Sequence, residues 1–324
     1  MRWIRIFQSS FLLFLVTINL FALDLNYFPT NDNSINFYSF QHFNSNSEIK
    51  AKITSSDVTF NVDMQSKISR DEALIEYYSR FNSLNFWGIK TGYIFNETTI
   101  IEPELEGIPL ASIDLYRTGV LMPEFIWWKE LPGSKGEFEQ MKYRVMIMPS
   151  INVYSIDEKN SSSLFGENSI HLDYSSGEFN GSTEKKFNVE LGYIHSEIRK
   201  NTLLEENTNF GSYFSFIIKQ QWQFRVLKKS LMGAGLSLSY FTEQKNMTEG
   251  SYDTLFSEEF TIKPYHKLAT DLYFESSISH TLSYKIYVDY ALPYQRLYKT
   301  SEYSSFKIET FSETMIGFNL TTQY

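Results

Sequence analysis

The stretch Leu282-Ser-Tyr-Lys-Ile-Tyr-Val-Asp-Tyr-Ala-Leu292 decides the fold. Leu282, Tyr284, Ile286, Val288, Tyr290 and Leu292 alternate with Ser283, Lys285, Tyr287, Asp289 and Ala291. Successive side chains of an extended chain point to opposite faces, so this segment is a ribbon with one apolar and one polar side. The design recurs outward from it. Met232, Ala234, Leu236, Leu238 and Tyr240 oppose Gly233, Gly235, Ser237 and Ser239. Phe214, Phe216, Ile218, Trp222, Phe224 and Val226 oppose Ser215, Lys219, Gln221, Gln223 and Arg225. Strands in soluble sandwiches run ~5–6 residues. Ribbons of ~10 residues or more, repeated this often, suit a tilted crossing of a bilayer.

The alternation predicts strands over 84–95, 112–128, 141–154, 168–175, 187–199, 212–227, 231–242, 256–276, 282–298 and 304–324. The first third must supply the rest. If 71–81 is a strand, it joins 49–64, and 23–48 is a periplasmic lead or an interior segment. If 71–81 is a helix, as Ser69, Glu72 and the face Leu74, Tyr77, Tyr78, Phe81 allow, then 35–43 and 49–64 form the opening hairpin. The strand reading is favoured. Both give about twelve strands, with fourteen as the alternative. Short breaks near 82–83, 227–230 and 276–281 alternate with longer polar ones near 96–111, 155–167, 200–209, 243–255 and 299–303, the asymmetry of an up-and-down membrane barrel. In hydrocarbon every backbone donor and acceptor must be paired internally, which makes a closed antiparallel barrel the strand-based way to span. The expected fold is therefore an all-β transmembrane barrel over 49–324.

Composition narrows the setting. The chain of 324 residues has 38 acidic and 29 basic side chains, no cysteine, 28 Phe and 22 Tyr. The absence of cysteine removes thiol nucleophiles, disulfide frameworks and Cys-ligated zinc, and the acidic balance argues against nucleic acid as a partner. Arg2 and Arg5 precede the apolar run from Phe11 to Ala22, the layout of a cleaved export signal over 1–22. Its removal takes two arginines and no acids, so the mature charge is −9 − 2 = −11. An exported chain without cysteine points to the bacterial envelope. Trp87, Trp127, Trp128, Trp222, Tyr193, Tyr240, Tyr290 and Tyr324 are candidates for the two aromatic girdles where hydrocarbon meets headgroups.

The ending Ile316-Gly-Phe-Asn-Leu-Thr-Thr-Gln-Tyr324 resembles the C-terminal signature of bacterial outer-membrane β-barrel proteins, alternating apolar residues and finishing in an aromatic. That resemblance implies residence in the bacterial outer membrane, contact with its lipid, and recognition of the last strand by the barrel-assembly machinery. It names no subfamily.

The polar faces carry the candidate site. Lys90, Lys142, Arg144, Glu190, Lys219, Arg225, Glu259, Lys263, Asp271, Glu275, Lys285 and Asp289, with Glu309, are expected to face the lumen. A hydrated pore could use them to discriminate small hydrophilic solutes, because charged rings tune selectivity. The competing expectation is a closed structural or surface-binding barrel in which opposite charges on adjacent strands fill the interior. Ser169, His171 and Asp173 stand at i, i+2 and i+4 on one face, a spacing open to a barrel-embedded hydrolase; a solvated polar face is the preferred reading, and no catalytic residue is assigned. Five scattered histidines make no metal cluster by spacing, and no cofactor motif is found.

Overall fold

The computed structural model describes residues 34–55, 58–82, 85–105, 108–109, 113–131, 137–146, 150–156, 159–180, 183–199, 207–249, 259–299 and 304–323. The export signal over 1–22 and the girdle candidate Tyr324 lie outside them. Every long segment is extended, and neighbours pair antiparallel in chain order. The strands are β1 (Ser34–Ser55), β2 (Val58–Asn82), β3 (Asn85–Leu105), β4 (Ile108–Pro109 and Ile113–Leu131), β5 (Glu137–Met146 and Ser150–Ile156) and β6 (Lys159–Asn180). They continue as β7 (Thr183–Arg199), β8 (Asn207–Leu227), β9 (Ser230–Phe241 and Gln244–Glu249), β10 (Glu259–Ile262 and Tyr265–Ser277), β11 (Leu282–Ala291 and Tyr294–Lys299) and β12 (Ser304–Gln323). Strand β12 pairs with β1 from Ile35↔Gln323 to Ile53↔Ser304, which closes a twelve-stranded antiparallel barrel with no free edge.

The opening hairpin departs from both expectations. Residues 71–81 are strand, as favoured, but the chain reverses between Ser55 and Val58, in the middle of the expected 49–64 strand. Residues 34–48 therefore belong to the barrel wall. The expected break at 155–167 is also largely paired ribbon, with Ile156 opposite Lys159, and strand β3 continues through the expected loop as far as Leu105. The reason lies on the outward face of β2. Asn61, Asp63, Gln65, Lys67 and Asp71 are exposed there, and only then do Ile75 and Tyr77 follow. Backbone pairing continues past the level where the outer face stops meeting lipid. Alternation reports lipid contact and goes silent on the part of the strand that stands in water.

The outward face of the lower barrel is apolar. Ile75, Tyr77, Trp87, Phe125, Trp127, Ile170, Leu191, Phe214, Trp222, Phe224, Leu236, Leu238, Leu272, Ile286 and Ile316 are all exposed large hydrophobics. On a water-soluble protein so continuous a patch would be an aggregation site; around a closed barrel it is the surface that lipid covers. Phe214 and Phe224 stand at opposite margins of the belt, about the length of a tilted crossing apart. Aromatic pairs mark both margins. Tyr77 meets Trp87 edge-on and Trp127 stacks on Tyr143 near the short turns, while Tyr193 leans on Phe214 and Tyr240 on His266 at the other end. The side chain of Trp128 lies outside the described ones. The apolar exterior and the closure together make the protein a membrane-spanning barrel of the outer-membrane type.

The last strand holds a further correction. Phe306 and Ile308 share parity with Ile316 and Phe318 in the sequence, but a bulge opposite Asn46 and Ser47 shifts the register between Thr310 and Ser312. Thr310 is buried and Phe311 exposed, so the faces exchange there. The same shift carries Glu309 to the outer surface beside Lys50 and Lys307, away from the expected lumen position.

Candidate functional site in the barrel lumen

The pleat that turns apolar residues to lipid turns their neighbours inward. Near the short-turn end the lumen wall is itself apolar: Ile35, Tyr78, Phe86 and Ile126, from β1 to β4, form one buried cluster with Phe37 against it. Phe37 and Tyr78 meet edge to face with centroids 5.5 Å apart. Arg80 lies 4.7 Å over the Phe86 ring.

Two charged walls flank this cluster. On the first, Glu76 of β2 stands 3.6 Å from both Lys90 and Lys142, and the Tyr78 hydroxyl donates to it at 2.7 Å. Arg144 grips Asp173 with two donors, Nε to Oδ2 at 2.9 Å and Nη2 to Oδ1 at 3.2 Å. The same Nη2 lies 2.9 Å from Glu190, which also accepts from the Nδ1 edge of His171 at 2.9 Å. Such forked pairing fixes the carboxylates in direction as well as distance.

On the second wall Lys219 of β8 pairs with Asp271 of β10 at 2.9 Å, and Gln221 Nε2 donates to the other carboxylate oxygen at 2.9 Å. Asp271 stands opposite Asp289 in the β10–β11 register. Lys285 rides 3.9 Å over the Tyr273 ring, whose hydroxyl donates to Gln223 at 2.7 Å; Gln223 in turn donates to Glu184. Toward the long-loop end Glu313 receives Lys267 and the Tyr294 hydroxyl. Burial of a charge is costly unless it is paired, and the interior meets that cost with ion pairs and amide donors.

The expected lumen residues therefore divide. Lys90, Lys142, Arg144, Glu190, Lys219, Asp271, Glu275, Lys285 and Asp289 occupy inward positions of the register. Arg225 keeps the inward parity of Lys219 and Gln223 but stands at the rim, exposed beside the Lys228-Lys229 turn. Lys263 sits where β10 is interrupted, 2.7 Å from Glu243, with both side chains more than a third exposed. Glu259 opens β10, and its side chain lies outside the described ones. Glu76, Glu184, Lys186, Lys267 and Glu313 join the interior without having been singled out. Glu76 is hidden by the strand-or-helix ambiguity of 71–81, and Glu184 and Lys186 fall between the expected strands 168–175 and 187–199, where the chain in fact turns tightly with Asn180 opposite Thr183. Lys267 shares the parity of Asp271, a signal that was available.

Ser169, His171 and Asp173 do share the inward face of β6. Asp173 is held by Arg144 and His171 by Glu190, while Ser169 is buried and no hydrogen bond joins it to His171. As arranged, the three groups serve three different contacts.

No protein-family model matches this chain, and no curated protein matches it in sequence. Among solved structures, it is similar to a FadL homologue from Pseudomonas aeruginosa at 9% identity and a TM-score of 0.48, covering 90% of each chain. It is similar to an outer-membrane channel from Pseudomonas putida F1 at 7% identity and 0.46, covering 94% of this chain and 100% of that one. The translocator domain of the autotransporter NalP from Neisseria meningitidis matches at 8% and 0.44, covering 86% and 87%. The assignment to the membrane-spanning barrels rests on the closure and the apolar belt of this chain itself.

Proposed function

We propose that the protein is a narrow channel for small hydrophilic solutes, with discrimination set by its inward charges. The observation that carries this reading is that many of the inward charges are wet, while Asp271 and Glu184 are buried. Lys90, Lys142, Arg144, Asp173, Glu190 and Lys219 keep between 19% and 28% of their side-chain surface open to solvent inside a closed wall. Charges that merely filled a dry interior would be covered on all sides. Both signs are present at each level, which favours neutral or zwitterionic solutes over a single ionic class. The expected result is single-channel conductance from the refolded protein in a planar bilayer, with weak ion selectivity; silence at every voltage would sink the channel reading.

A second reading, a closed structural or surface-binding barrel, is favoured by the buried apolar cluster Ile35, Tyr78, Phe86 and Ile126 on the wall near the short turns. Under it, conductance is absent and ligands bind to the extended ribbons above the membrane.

A further inference from the structure

At the short-turn end, which is periplasmic in barrels of this design, strands β8 and β9 are joined by Lys228 and Lys229. Both are exposed, and neither forms an ion pair with a described residue. In a chain of net charge −9 this is a concentrated patch of uncompensated positive charge. Two acids on the adjoining strands are engaged elsewhere: Glu184 is held by Gln223 and Lys186, and Glu275 faces the lumen opposite Lys285.

The turn is also held in place. The Lys229 carbonyl accepts from Ser276 Oγ at 3.2 Å and from the Ser277 amide at 3.0 Å, which ties the two lysines to the edge of β10. Immediately beside the cations the surface is apolar and bare. Phe224, Val226, Leu227 and Met232 expose half or more of their surface, and Ile278 of the adjacent turn does likewise.

We infer that the Lys228–Lys229 turn binds the phosphate headgroup of an anionic phospholipid in the periplasmic leaflet, with Phe224, Val226 and Leu227 against its acyl chains. A free anion would use the cations and leave the apolar flank bare; a neutral lipid would use the flank and leave the cations unpaired. An anionic lipid satisfies both at once. Each basic side chain at an anionic lipid surface strengthens attachment by a several-fold factor at moderate ionic strength. The inference rests on membrane residence and is independent of whether the lumen conducts.

The test is native mass spectrometry of the folded full-length barrel after exchange into equimolar phosphatidylglycerol and phosphatidylcholine, with folding checked by heat-modifiable gel mobility. Retained phosphatidylglycerol is expected to exceed phosphatidylcholine about tenfold. Combined Lys228→Gln and Lys229→Gln brings the ratio near parity, while Lys50→Gln with Lys307→Gln, at the opposite end, leaves it unchanged. Lys228→Arg with Lys229→Arg keeps the preference, and Lys228→Gln alone lowers it partway should the double variant not fold. Equal retention of the two lipids by the unaltered protein, a preference that survives the double substitution, or displacement of the lipid by inorganic phosphate would each overturn the assignment.

Discussion

The phenol ring of Tyr273 fills the space that a β-carbon on residue 233 would need: built onto Gly233, that carbon would overlap Tyr273 Cζ on the neighbouring strand. Tyr287 makes the same use of Gly317 across the β11–β12 pair. These glycines are sockets in the lumen wall for tyrosines that lie flat along it. Gly233→Val is expected to lower stability by about 1–3 kcal/mol, the usual cost of overpacking. Tyr273→Ala in the same chain should recover part of that loss, a coupling read from the midpoint of urea unfolding in detergent or vesicles. Additive effects would show that ring and socket are independent.

Arg144 neutralises two carboxylates, so its removal strips Asp173 of its forked partner and leaves Glu190 with His171. Arg144→Ala is expected to cost about 2–4 kcal/mol, toward the lower end because the cluster is partly wet. Arg144→Lys should restore only a fraction, since a point charge cannot reproduce the fork on Asp173 while reaching Glu190. Full rescue by lysine in an unfolding titration would contradict the geometry.

Lys219 is the cation that shields Asp271, which faces Asp289 directly. If the lumen conducts, Lys219→Gln leaves two carboxylates facing each other and shifts the channel toward cations, seen as a displaced reversal potential in a salt gradient. Unchanged selectivity would place the conduction path away from this wall.

Above the membrane belt the outer surface carries the strap Lys50, Glu48, Glu309 and Lys307. The hydrogen bond from Lys307, and then the charges of Lys307 and Lys50, hold the Glu309 carboxyl below its ordinary range. A depressed carboxylate contributes stability above its unfolded value of about 4.3 and loses it as pH falls through the folded one. Unfolding midpoints should thus be flat above pH ~5 for this strap and drop in more acidic buffer, with Glu309→Gln removing that part of the slope.

Ser169→Ala and His171→Ala separate the hydrolase reading from the rest. With Asp173 and His171 committed to Arg144 and Glu190, Ser169→Ala is expected to leave any lipid turnover at background and conductance unchanged. Turnover by the unaltered protein that disappears with Ser169→Ala would reverse this.

Most of the barrel was legible because lipid imposes a strict rule on one face. Where Leu282–Leu292 or Met232–Tyr240 meets hydrocarbon, every second residue must be apolar, and the pattern can be counted. From Asn61 to Lys67 the outer face stands in water and that demand lapses, so the opening hairpin lies away from its expected place. The register flip at 310–312 was equally hidden, since one extra residue exchanges the faces without changing composition.

The sequence by itself determined that the chain crosses a membrane as a closed sheet and which side chains of the belt meet lipid, because those properties depend on residues two apart in one chain. Only the tertiary structure decided that Arg144 reaches both Asp173 and Glu190, that Tyr273 lies in the Gly233 socket, and that Arg225 stands at the rim. Those are relations between different strands, set by register, and register is fixed by the closing of the barrel as a whole.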